Sequence, residues 1–220
     1  MRPFGKIYAL VTLVLGIGLA SNAANLITNG SFESGNFVPS ETGSMLLSAG
    51  ATDMTGWTVI NGGLAWDSQA DPYGLTASDG SYFLDLTGDY DQAPYGGVAQ
   101  AVTTAIGSQY QLTFDVGTST TYDNNSGLLP VSIAVSADSS SGIFTTATPS
   151  SINQWQSFSF DFTATSTSTL ISLDGQASAN IEYIGLDNVS LTAVPEPSTL
   201  MLSAAAGLVF LATSRRLRKA

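Results

Sequence analysis

The sequence predicts an all-β fold, a single antiparallel jelly-roll β-sandwich, on three observations. Short runs alternate apolar and polar residues with a period of two. Clusters of Gly, Asn, Asp, Ser and Thr separate the runs. No stretch between Asn25 and Val194 carries the 3.6-residue period of an amphipathic helix. That interval, roughly 170 residues, is ample for one hydrophobic core.

Taken in order, Trp57 to Ile60, the turn Asn61-Gly62-Gly63 and Leu64 to Trp66 read as a hairpin, because Asn-Gly readily supplies the positive φ of a tight turn. Leu84 and Leu86 flank Asp85. Tyr110, Leu112, Phe114 and Val116 alternate with Gln111, Thr113 and Asp115. Val131, Ile133 and Val135 alternate with Ser132 and Ala134. Phe158, Phe160 and Phe162 make the cleanest strand, and Ile171 and Leu173 mark another. One apolar and one polar face per strand suits antiparallel sheets wetted on one side. The Ser/Thr-rich stretches Ser136 to Ser141 and Thr163 to Thr169 read as solvent-facing strand and loop. In the last strand Ile184 and Leu186 are apolar at even numbers, whereas Val189, Leu191 and Ala193 are apolar at odd numbers. A phase slip at Asp187-Asn188 marks a β-bulge. Either Asp187 turns inward toward a cation or the pair sits in a simple bend.

The ends follow other rules. Met1 to Lys6 is basic, Ile7 to Ala20 is apolar, and Ser21-Asn22-Ala23 has small residues at both outer positions, the layout of a secretory signal peptide over 1–23. At the other end Val194-Pro195-Glu196-Pro197 precedes an apolar stretch from Ser198 to Ser214 and then Arg215-Arg216-Leu217-Arg218-Lys219. As a helix that stretch covers roughly 25 Å, enough to span a locally thinned bilayer. The basic cluster keeps its end cytoplasmic, so the domain at 24–193 lies beyond the inner membrane.

All six Lys and Arg residues belong to these two ends, and all but Glu196 of the 17 acidic residues lie between them. A domain with no cation cannot grip phosphates, which excludes nucleic acid as a partner. It also forms no side-chain salt bridge, so a buried carboxylate must be hydrogen-bonded, protonated or metal-bound. Cys and His are absent. Disulfides, Ser–His–Asp and Cys–His catalysis, and zinc sites built on Cys or His are therefore excluded, as is a lysine Schiff base within the domain.

The tail, with Val194, Pro195, Glu196 and Pro197 leading an apolar helix and an Arg cluster, resembles the PEP-CTERM sorting signal over 194–220. The resemblance implies an exported protein of a Gram-negative bacterium that makes exopolysaccharide, processed by an exosortase-type membrane protease. It is then transiently anchored in the inner membrane and finally secreted or held at the cell surface. The domain resembles choice-of-anchor and DUF642-like β-sandwiches, relatives of galactose-binding and carbohydrate-binding modules. The matching pieces are Asn25-Leu26-Ile27-Thr28-Asn29-Gly30-Ser31-Phe32-Glu33, Gly56-Trp57-Thr58-Val59, Asp79 to Gly88, Gln100 to Phe114, and Leu186-Asp187-Asn188-Val189-Ser190-Leu191. It implies no catalytic residue.

In similar sandwiches the first and last strands lie side by side and a calcium ion sits where they meet. That resemblance would bring Glu33 and Asp187 together around a structural calcium, an all-oxygen site that suits this composition. The alternative is a turn capped by Glu33 and a solvated Asp in a bulge. For a sugar ligand, Trp66, Asp67, Asp71 and Tyr73 in one loop, and Asp89, Tyr90, Asp91 and Tyr95 in another, combine aromatic faces with hydroxyl acceptors; packing at the core edge is the competing role. Trp57 and Trp155 are expected to cover the core edges. Two carboxylates would suffice for a glycosidase, but no motif selects a pair. The reading is a noncatalytic carbohydrate-binding-like module of an extracellular polysaccharide matrix. The alternatives are a structural matrix protein without a glycan site, and a divergent glycan-cleaving enzyme.

Overall fold

The computed structural model describes residues 24–40, 42–68, 75–88, 94–118, 129–148, 150, 154–176 and 183–195. The signal-peptide segment, the apolar tail, Glu196, Pro197, Asp71, Tyr73, Asp89, Tyr90 and Asp91 lie outside these residues. Among the described residues every regular element is a strand: β1 (Ser44–Leu47), β2 (Thr58–Asn61), β3 (Leu64–Ser68), β4 (Tyr82–Asp85), β5 (Gly96–Thr103), β6 (Gln109–Thr118), β7 (Ser132–Ala137), β8 (Ser140–Thr145), β9 (Gln154–Thr163), β10 (Ser168–Gln176) and β11 (Gly185–Ala193). They form a six-stranded sheet, β1-β3-β4-β11-β6-β9, and a five-stranded sheet, β2-β5-β10-β7-β8. All pairings are antiparallel. The chain is an all-β jelly-roll sandwich, as its alternation predicts.

Alternation decides which side chains enter the core. Tyr110, Leu112, Phe114 and Val116 of β6 pack toward Ile133 and Val135 of β7 and Ile171 and Leu173 of β10, all of them buried. On β9, Phe162 is buried while Phe158 and Phe160 are half-buried, because β9 is an edge strand. Its phenylalanines close the open side of the sandwich against Phe144 of β8, with ring centroids 5.7 and 6.0 Å apart. Dispersion and apolar burial hold this side together without any charge pair.

The expected hairpin at Asn61-Gly62-Gly63 is not one. β2 pairs with β5 and β3 pairs with β1 and β4, so the three residues carry the chain from one sheet to the other. Asn61 adopts φ 63°, the left-handed region that Asn tolerates and that bends the chain around the corner. The turn chemistry was legible, but the partners of the flanking strands were not.

The segment after Ala24 runs beside β11. The Leu26 N–H donates to the Leu191 carbonyl at 2.8 Å, and the Val189 N–H donates to the Gly30 carbonyl at 2.9 Å. First and last segments thus lie side by side. The pairing of β11 with β6 runs Asp187↔Asp115 and then Ser190↔Thr113, so two residues face Phe114 alone. Asn188, with φ 52°, makes this the bulge that the phase slip predicts.

Candidate functional site

The outer face of the six-stranded sheet should be polar and wet by its alternation, yet half of it is covered. Asp67, Asp85, Asp115 and Asp187 project onto it and are all buried. Leu75, Phe83 and Tyr183 form a second, smaller apolar cluster over them, with Ala77 and the half-buried Trp155 packed alongside. The cover is the segment Leu75–Asp79, which the strand pattern did not single out.

Two glycines make room for it. A Cβ on Gly185 would stand 2.6 Å from Leu75 Cδ2 and 2.9 Å from Trp155 Cη2, and one on Gly117 would stand 2.7 Å from Trp155 Cζ3. The benzo ring of Trp155 therefore passes directly over the backbone of β6 and β11. Its indole N–H donates to the Thr76 carbonyl at 2.8 Å, and its ring meets Phe83 edge-on at 5.9 Å. Trp57 and Trp66 are fully buried. Trp155 is the tryptophan that keeps surface toward solvent among the described residues.

Hydrogen bonds tie the carboxylates to the covering segment. Asp187 Oδ2 accepts the Ser78 and Asp79 N–H groups at 2.7 and 2.9 Å, and its Oδ1 accepts the Asn188 N–H at 2.6 Å. Asp115 accepts the Ser78 and Ser157 hydroxyls and, at 3.1 Å, the Asn188 side-chain amide. Burial pushes the Asp187 carboxyl up to about 7, although the three N–H groups pull the other way. Asp85 accepts the Thr87 N–H and hydroxyl at 3.0 and 2.7 Å. Its carboxyl is raised well above the usual range, first by burial and then by neighbouring Asp67. Asp67 in turn accepts the Tyr183 hydroxyl at 3.0 Å.

These positions correct the loop assignment of the aromatic candidates. Trp66 and Asp67 belong to β3. Trp66 is 1% exposed, packs against Phe37 at 4.9 Å and donates its indole N–H to the Phe32 carbonyl. Asp67 is on the opposite, outer face beneath Tyr183. Tyr95 is buried against Gly175. None of the three offers a ring or carboxylate to a solvent ligand. Alternation sent Trp66 inward with Leu64, and the same rule sent Trp155 outward, where a core-edge role was expected.

Glu33 and Asp187 grip one turn. Glu33 Oε1 accepts the Ser81 and Tyr82 N–H groups, both at 2.7 Å, while Asp187 holds Ser78 and Asp79. Asp79 itself accepts the Ser31 hydroxyl. The donors facing Glu33 Oε1 and Asp187 Oδ2 are backbone N–H groups of the same turn. Among the described residues no three His, Cys, Asp or Glu side chains group as a cation site.

The profile of DUF642, "Protein of unknown function", matches residues 25–191, and that of the PEP-CTERM protein-sorting motif matches residues 193–218. Halomucin of Haloquadratum walsbyi is 33% identical over 122 residues, 50% of this chain, and the chain spans 1% of that protein's length. Among solved structures, a family 35 carbohydrate-binding module from Clostridium thermocellum is similar over 68% of this chain and 99% of its own, at 12% identity and a TM-score of 0.45. The CBM22-1 xylan-binding domain from Paenibacillus barcinonensis Xyn10C covers 70% and 95%, at 13% identity and a TM-score of 0.40. TmCBM61, solved with β-1,4-galactotriose, covers 78% and 100%, at 15% identity and a TM-score of 0.42. The sorting motif marks the chain for export and for sorting at a membrane.

Proposed function

We propose that this chain, which belongs to the DUF642 family, is a noncatalytic carbohydrate-binding-like module of the extracellular polysaccharide matrix in a Gram-negative bacterium. The observation that carries the reading is the covered outer face. A half-exposed indole lies across two glycines, on the face that also carries the exposed hydroxyls of Ser78 and Ser157, both of which donate to the buried Asp115. An aromatic face stacks on the C–H side of a sugar ring while neighbouring hydroxyls exchange hydrogen bonds with its O–H groups, and such a site needs no cation. Asp67 and Asp85 are a close carboxylate pair, but both are buried. A glycosidase pair must reach the scissile bond, so the burial supports binding without turnover.

The tail supports delivery to the surface, with an exosortase-type protease as its processing partner. A glycan array and a polysaccharide pulldown with the secreted domain test the reading. Retention of at least one bacterial polysaccharide is expected. Trp155→Ala is expected to weaken it by tenfold or more, and Trp155→Phe, which keeps a stacking ring, to weaken it less. No retained glycan, or equal retention by wild type and Trp155→Ala, returns the protein to a purely structural matrix role. Polysaccharide turnover abolished by one carboxylate substitution would establish the enzyme reading instead.

A further inference from the structure

The two rims of the five-stranded sheet are finished differently. At one rim β2 is covered: the Val59 N–H donates to the Ala51 carbonyl at 2.9 Å, and the Gly50 N–H to the Val59 carbonyl at 2.8 Å. At the other rim β8 pairs with β7 alone. Just past β8 the Thr146 N–H donates to the Val131 carbonyl at 2.9 Å. Bonds to one neighbour recur at every second residue of an antiparallel strand. Phe144, Gly142 and Ser140 therefore bond β7, and Ser141, Ile143 and Thr145 aim their N–H and C=O groups away from the sheet. Among the described residues nothing takes up those outward groups.

This rim lacks what usually keeps a sheet edge from pairing with another chain. Lys, Pro, an inward-pointing charge and a bulge are the common devices, and Ser140-Ser141-Gly142-Ile143-Phe144-Thr145 has none of them. Ile143 is instead 68% exposed. On the core side of the strand Phe144 is half-buried, and Gly142 has no side chain. In a domain without a single cation, a second copy is repelled wherever carboxylates face each other. The five strands of this sheet contain one carboxylate, Asp174, two strands from the rim at the level of Ala134 and Ile143. Asp138 sits at the β7–β8 turn. Asp161 of β9 belongs to the other sheet, on whose outer side it accepts the Gln111 amide at 2.9 Å.

We propose that β8 pairs antiparallel with β8 of a second copy, about a two-fold axis at Ile143, joining the two five-stranded sheets into one. This register engages all three outward-facing residues. Ile143 stands opposite the partner's Ile143, Ser141 opposite the partner's Thr145, and Thr145 opposite the partner's Ser141, which makes about six backbone hydrogen bonds. A two-fold at Gly142 would leave Thr145 without a partner and set Ile143 against a serine. At Ile143 the two exposed isoleucines cover each other, and Phe144 faces the partner's Gly142, where no side chain stands in its way. Asp174 then lies about 24 Å from its counterpart across the strands, and the two Asp138 turns fall about 34 Å apart along them. Both distances exceed the ~8 Å screening length of physiological salt. A pairing of six-residue strands is small for an interface, so the dimer is weak and reversible. Two copies joined this way carry two Trp155 faces, and a polymer that reaches both gains avidity. That gain rests on the glycan reading, whereas the pairing does not.

The chain contains no cysteine, so an introduced one reports its own neighbourhood. With Ile143→Cys the paired Cα atoms stand about 5.5 Å apart across the two-fold, within the ~4.4–6.8 Å that a disulfide bridges. Thr145→Cys stands about 14 Å from its own copy, and Leu170→Cys, exposed on the same sheet, stands farther still. Each variant is made in the full chain, held in excess detergent micelles and oxidised mildly. Ile143→Cys is expected to yield roughly tenfold more covalent dimer than either control, and Thr145→Cys to join Ser141→Cys when the two are mixed. Equal yields at 143, 145 and 170, or dimer from none of them, overturn the inference. Sedimentation of the cysteine-free chain guards against a cysteine that disturbs the strand. The wild type is expected to shift toward dimer as its concentration rises from micromolar to submillimolar. Ile143→Pro, which removes an outward N–H and leaves the bonds to β7 in place, is expected to stay monomeric. A wild type that stays monomeric over that range, or a proline variant that dimerises equally, also overturns the inference.

Discussion

The two outer faces of this sandwich are built from the same alternating strands and end up as opposites. On the five-stranded sheet, Thr58, Ala99, Ser172, Ser136 and Ser141 stand at one level across β2, β5, β10, β7 and β8. These are small side chains that share hydroxyl hydrogen bonds such as Ser136–Ser172 at 2.7 Å. Thr58 and Ser141 are exposed and Ser136 and Ser172 half-buried, while Ala99 is buried. On the six-stranded sheet, the level of Asp67, Phe83, Asp187 and Asp115 is roofed by Leu75–Asp79 and Tyr183. Polar alternation therefore says that a side chain leaves the main core, but not that it reaches water. Without Lys or Arg in the domain, carboxylates beneath a cover are held by N–H and hydroxyl donors, and burial lifts the affinity of Asp85 and Asp187 for protons.

The strongest way to break the contrast is to empty the small cluster. Phe83 is fully buried at its centre, and Phe83→Ala is expected to lower stability by about 3–5 kcal/mol, the range for deleting a packed aromatic ring. Leu170→Ala, on the uncovered face and 56% exposed, should change stability by less than about 0.5 kcal/mol. Urea unfolding of the two variants decides the matter. Equal losses would mean that the covered face is no second core.

A smaller effect separates the faces by pH. Asp187 binds its proton more tightly folded than unfolded. Its contribution therefore favours the folded state most below about 4 and declines as pH rises through about 7. From pH 5 to 8 the wild type should lose stability, by on the order of 2–3 kcal/mol at ~1.4 kcal/mol per pKa unit. Asp85 acts with the same sign. Asp187→Asn should remove much of that slope. It should also cost about 1–3 kcal/mol near pH 5, because its amide turns an N–H toward donors that need an acceptor. Ser172→Ala, on the open face, should leave both the slope and the midpoint nearly unchanged. A slope that survives intact in Asp187→Asn would place the titration elsewhere.

How much of this was legible in the sequence follows from what a period of two encodes. The strands around Phe114, Phe160 and Leu173 were readable because their apolar residues all enter the main core. The bulge was readable because a phase slip has few other causes. Trp66 entered the core and Trp155 lay on the outer face, because alternation assigns a side chain to one of two faces without saying which face is roofed. Strand pairing depends on partners distant in sequence, so the corner at Asn61-Gly62-Gly63 looked like a hairpin. The roof itself, Leu75-Thr76-Ala77-Ser78-Asp79, has no period, and its one signal was the pair Gly117 and Gly185, each interrupting a strand where no turn is needed.

The smallest expected effect concerns calcium, where the sequence and the hydrogen bonds point different ways. An all-oxygen, cation-free domain invites the ion, and Glu33 and Asp187 do converge on one turn. Both, however, already accept N–H groups from that turn, so part of their acceptor capacity is used before a cation arrives. Millimolar calcium is therefore expected to move the melting midpoint by no more than about 2 °C relative to a chelator. That corresponds to about 0.5–1 kcal/mol for a domain of this size. A larger rise that disappears in Asp187→Ala would restore the ion at this turn. It would also change the comparison of the two faces, because the covered face would then be closed by a cation bridging its carboxylates rather than by backbone N–H groups alone.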